Sequence, residues 1–146
     1  TKYNIYELYF DMQYNASSYF DINLLDSNGD VLTDSNYDVS IYEMKNWTTE
    51  NQYKYQNSTI WRDFTGYLEN YNIGGAMRMT VFNPTNSTYT LANTVGVTKV
   101  SSGLFGVIGQ GIYTNTTGIY GMKFSASGGG STTFDFLNVS VYGVKE

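Results

Sequence analysis

Five consecutive residues, Asp26-Ser27-Asn28-Gly29-Asp30, place side-chain oxygens at alternate positions, as calcium-binding loops do. The glycine is in the wrong place for an EF-hand, and no Glu follows at the required offset. The same residues make a strong hairpin turn, because Asn-Gly takes positive φ readily and Asp and Asn bond their own backbone. A turn is therefore the expected reading, and Asp26, Asn28 and Asp30 are the weaker candidate metal ligands.

The chain has no His and no Cys. The usual general base, the commonest metal ligand and all thiolate chemistry are missing, so carboxylate, Lys or Tyr chemistry remains. Asp11, Asp21, Asp38, Asp63 and Asp135 all fall in expected strands. Two of them facing one cleft would be the pair a glycosidase needs. Alternation instead predicts that they point outward, where carboxylates usually sit. The expectation is a protein that is not an enzyme and carries no cofactor. Gly106-Val107-Ile108-Gly109-Gln110-Gly111 has the look of a nucleotide loop, but it does not lie between a strand and a helix. A glycine-rich connection is the reading there. Sequons at Asn15, Asn46, Asn57, Asn86, Asn115 and Asn138 are acceptors only in a secretory pathway, and Asn, Ser and Thr are common enough to produce several by chance.

Aromatic residues point more firmly to binding. The chain holds 15 Tyr, 8 Phe and 2 Trp, more than two sheets of this size can bury on their inner faces. Tyr42, Trp47, Tyr53, Tyr55, Trp61, Tyr67 and Tyr71 cluster mid-chain among polar residues. Tyr and Trp are enriched where a surface becomes an interface, and a ring beside an outward Asp is also a platform for a sugar. These seven are the candidate binding residues, with cross-strand aromatic packing as the structural alternative.

The elements that must position these groups are strands. Apolar residues recur at every second position in Tyr6-Leu8-Phe10-Met12, Phe20-Ile22-Leu24, Tyr37-Val39-Ile41, Met77-Met79-Val81 and Tyr120-Met122-Phe124. A further strand is expected around Ile60 to Phe64, and a long final one from Thr133 to Val144. Gly74-Gly75 opens one strand, Asn83-Pro84 closes it, and Ser127 to Ser131 is a turn between the last two. Lys45 to Gln56 resists assignment, with a short turn of helix over Thr48 to Tyr55 as its best candidate, and Gly103 to Gly118 reads as a long irregular loop. The pattern predicts one all-β domain over 1–146, an antiparallel β-sandwich, jelly-roll-like.

Bulk properties narrow the partners. Charged residues are only 14% and the net charge is −5, with the 8 basic residues scattered. The footprint of a nucleic-acid binder is absent, and no apolar run is long enough for a membrane helix. The polar, alternating N-terminus is not expected to be a signal peptide.

Three patterns resemble small β-sandwich structural proteins of tailed bacteriophages. They are Ser35-Asn36-Tyr37-Asp38, the Gly-led strand Gly75-Ala76-Met77-Arg78-Met79-Thr80-Val81-Phe82-Asn83-Pro84, and the terminal strand Val139-Ser140-Val141-Tyr142-Gly143-Val144-Lys145. The Gly/Ser-rich turn before that last strand matches as well, and the resemblance spans roughly Ser35 to Lys145. It implies a virion component, such as a capsid decoration (cement) protein, a head-fibre protein or a tail appendage, with other virion proteins as partners. It brings no active site. Exposed sheet edges predict a homo-oligomer, and the aromatics leave a host-surface glycan as a possible ligand.

Overall fold

A computed structural model describes residues 3–64, 74–84, 88–127 and 132–144. Its strands are β1 (Ile5–Tyr14), β2 (Tyr19–Leu25), β3 (Tyr37–Lys45), β4 (Asn51–Ser58), β5 (Gly75–Phe82), β6 (Thr90–Val100), β7 (Gly103–Tyr113), β8 (Gly121–Ser127) and β9 (Phe134–Val144). The described residues contain no helix. Seven strands form one sheet in the order β4-β3-β7-β6-β5-β1-β9, and β2 pairs with β8 in a second. Every pairing is antiparallel. The expected all-β antiparallel sandwich is present, divided seven against two.

The core lies between the layers. Leu8, Phe10 and Met12 of β1, Val39 and Ile41 of β3, and Met77, Met79 and Val81 of β5 face Phe20, Ile22 and Leu24 of β2. Phe10 from the large sheet meets Phe20 and Phe124 from the small one edge-on, at centroid distances of 5.4 and 5.1 Å. Such ring pairs add about 0.5–1.5 kcal/mol each beyond the area they bury. The buried Tyr37 hydroxyl accepts from Leu24 N–H at 3.1 Å and donates to Leu32 C=O at 2.8 Å, tying β2 and the following loop to β3.

Three expectations are corrected. First, the glycine-rich stretch from Gly103 is not a loop through Tyr113. It is β7, paired on both sides. Gly109 and Gly111 sit on its inner face, where a Cβ at Gly111 would lie 2.6 Å from Phe64 Cζ and 3.0 Å from Trp61 Cε2. The glycines make room for two large rings, which is one standard reason for glycine within a strand. Second, Lys45 to Gln56 is not helical. It turns the chain into β4, an edge strand with little to bury and hence a polar sequence. Third, the strand expected around Ile60 to Phe64 reduces to a single bridge, Ile22 to Trp61. Asp63 takes φ 63°, a left-handed conformation that interrupts the strand, and Phe64 N–H then bonds Phe20 C=O at 3.2 Å. The turn expected between the last two strands lies outside the described residues from 128 to 131. It joins strands that belong to different sheets.

Candidate functional site

The five mid-chain aromatics among the described residues do not converge. Trp61 is fully buried, edge-on to Tyr37 at 5.9 Å, with its indole N–H donated to Ile112 C=O at 3.1 Å. It is a core residue, which corrects its place among the binding candidates. Tyr67 and Tyr71 lie outside the described residues. Tyr53 and Tyr55 stand opposite Ile41 and Val39, on the inner side of the β4 edge. Tyr42 stands on the other side, opposite Gln52 and Ile108, with its hydroxyl on Glu50. Trp47 is exposed in the β3–β4 turn and packs over Gly103.

The carboxylates divide too. Asp11 and Asp135 are exposed as expected, and Asp38 is half-buried. Asp21 and Asp63 are not outward-facing. They are 2% and 5% exposed, because the segment that carries Trp61, Asp63 and Phe64 is hydrogen-bonded along β2, the strand of Asp21. Asp21 Oδ1 accepts from the Asp63 backbone N–H at 3.2 Å, and Asp63 Oδ2 accepts from the Tyr55 hydroxyl at 2.5 Å. Asp63 Oδ1 is buried with no hydrogen-bond partner. Burial pushes the Asp63 carboxyl up to about 6, with the negative charges of Asp21 and Glu43 acting in the same direction and Tyr55 and Arg62 opposing. The titration resembles that of a catalytic acid, but the group is closed to anything as large as a sugar.

The turn at Asp26 is a turn. Asp26 Oδ1 accepts from Asn28 N–H at 2.8 Å and Asp30 N–H at 3.0 Å, and Gly29 takes φ 84°. The carboxylate of Asp26 is committed to its own loop, as an Asx turn requires.

The least ordinary surface is the outer face of the large sheet, which sequence reasoning missed. β6 is inside out. It buries Thr90, Ala92, Thr94, Gly96 and Thr98 and exposes Leu91, Val95 and Val97. Val95 and Val97 are 60% and 55% exposed, and Leu104 of β7 is 57% exposed. Cross-strand pairing sets Val95 beside Ile108 and Ile108 beside Tyr42, and sets Val97 beside Gly106 and Gly106 beside Met44. The result is an aliphatic patch over β3, β7 and β6. The clean alternation of Thr90 to Val100 was the available signal, with Leu91, Val95 and Val97 on the unexpected side.

Two residues further along the strands the face changes character. Lys54, Ser40, Gln110 and Asn93 stand directly opposite one another across β4, β3, β7 and β6. The next row holds Asp38, Ile112, Leu91 and Phe82. An open groove of about 460 Å³ runs along these two rows. The central strands' backbone groups are taken up in the ladders on both sides, so this face offers side chains only. Comparison with protein families, curated proteins and solved structures finds no match to this chain.

Proposed function

We propose that this domain is a non-catalytic structural component of a bacteriophage particle, a capsid decoration or head-fibre protein held on a protein shell by the outer face of its large sheet. One observation carries the docking part of that reading, the exposed aliphatic patch of Val95, Val97, Leu104, Ile108 and Met44. Strands that need only solvent on one side carry polar residues there. β6 places three Thr and a Gly on its buried face while Leu91, Val95 and Val97 lie outside, and contiguous apolar surface of this kind marks an interaction site. The particle itself is argued from the motif resemblance, carried by the Gly-led β5 ending in Phe-Asn-Pro and by the terminal Val-Tyr-Gly-Val-Lys.

Purified particles of the phage that encodes the chain provide the test. The protein should be present on them, and added protein should rebind to particles stripped of it. The Val95→Lys/Ile108→Lys double variant should fold normally and fail to rebind. Presence only in the lysate, or equal rebinding by the variant, would overturn the proposal.

A further inference from the structure

We infer that the groove beside the aliphatic patch is a binding site for a short, uncharged oligosaccharide. The inference does not rest on attachment to a shell. Its first ground is the pairing of rows. Ser40, Gln110 and Asn93 form a polar row across β3, β7 and β6, and Ile112, Leu91 and Phe82 form an apolar row two residues away. Adjacent strands lie about 4.8 Å apart and successive same-face residues about 6.8 Å apart. From Lys54 to Asn93 the polar row therefore spans roughly 14 Å, with the apolar row flanking it.

The second ground is that the polar groups are uncommitted. Among the described residues, the side chains of Ser40, Lys54, Asn93 and Gln110 make no hydrogen bond or ion pair. Asp38 gives one oxygen to the Asn57 N–H at 2.8 Å, and its other oxygen has no such partner. An apolar occupant would strand these groups without water, which is costly. A charged occupant finds one Lys and one Asp, which offset each other. A peptide strand would need free backbone groups, and sheets offer those at their edges rather than on their faces. A chain of sugar rings fits all three constraints. Each hydroxyl both donates and accepts, as Ser, Asn and Gln side chains do. The C–H faces of the rings lie against Phe82, Leu91 and Ile112.

Nuclear magnetic resonance titration tests the site, using tetraoses of glucose, mannose, xylose and N-acetylglucosamine as probes. At least one should shift the side-chain amide signals of Asn93 and Gln110, with an affinity that added salt leaves unchanged. The Asn93→Ala/Gln110→Ala variant should bind it about tenfold more weakly or worse, as the loss of two hydrogen bonds implies. Its melting temperature should be retained, since neither side chain holds the fold. The inference is overturned if none of the four sugars moves those signals at about 10 mM, a concentration that would reveal even millimolar binding. It is equally overturned if the shifts map elsewhere, or if an extended peptide binds the groove and the sugars do not. Particle rebinding reads the aliphatic patch separately, so failure of either proposal leaves the other standing.

Discussion

Asp63 carries three unfavourable features at once. It combines a left-handed backbone, a buried carboxylate and an oxygen without a partner. Its folded pKa of about 6 lies above the ordinary value of 3.8. Folding therefore favours the protonated form. The stability this supplies is complete below about pH 4 and is lost as pH rises through about 6. Asp63→Asn keeps the shape, tolerates the left-handed φ and removes the charge. We expect the variant to be more stable than the parent at pH 7, on the order of 2–3 kcal/mol, with the difference closing near pH 4. Urea denaturation of both proteins at the two pH values measures this, and a variant weaker at pH 7 would contradict it. Asp34 works in the opposite sense. Burial would raise its carboxyl, but hydrogen bonds from Asn115, Asn36 and Tyr113 outweigh that and hold it low. Its contribution is lost as pH falls, and it cancels in the comparison because both proteins contain it.

Among elements, β7 shows why part of the fold was hidden in the sequence. β1, β2, β3 and β5 were readable because large apolar residues mark their buried positions at every second place, and β8 and β9 because Met122 and Phe124, and Leu137 and Val139, keep that spacing where they pack partly buried against the core. β7 marks part of its buried face with Gly109 and Gly111, and β6 marks its own up to Val100 with Thr, Ala and Gly. The missing volume is supplied from elsewhere in the chain by Trp61 and Phe64, a contact that no local pattern announces. The apolar outer face was hidden for the same reason, since reading Leu91, Val95 and Val97 as surface depends on knowing what fills the inside. Gly111→Ala tests the arrangement. Its Cβ would press on Phe64 and Trp61, both fully buried and flanked by other large side chains. Overpacking of this kind costs about 1–3 kcal/mol. The expected result is a lower melting temperature and altered tryptophan fluorescence, since the indole must shift. A variant with unchanged melting and emission would mean that the rings do not pack on this strand as described.

On the scale of the whole molecule, the two edges of the large sheet are unlike each other. β4 carries Lys54, is polar along its length and has an irregular register near Asn57, which takes φ 51°. Charges and bulges of this sort are how sheets prevent edge pairing. β9 at the other edge is 11 residues long. It contains neither Lys nor Pro, its only charge is Asp135 near the start, and Ser140 to Val144 is exposed. An edge of that description is a template for a second strand, and two copies pairing antiparallel through it would close with twofold symmetry. We therefore expect self-association through β9 rather than β4. Val141 is 57% exposed, so Val141→Lys should leave the fold intact while placing like charges near the twofold axis. Light scattering across a concentration series should show dimer for the parent and monomer for the variant. If both proteins scatter identically, β9 is not the joint. A pairing there would carry the outer face of each sheet onto its neighbour, presenting two aliphatic patches and two grooves on one continuous surface. On the docking proposed above, two weak contacts on such a dimer would act together, and the added effective concentration would raise attachment well beyond either alone.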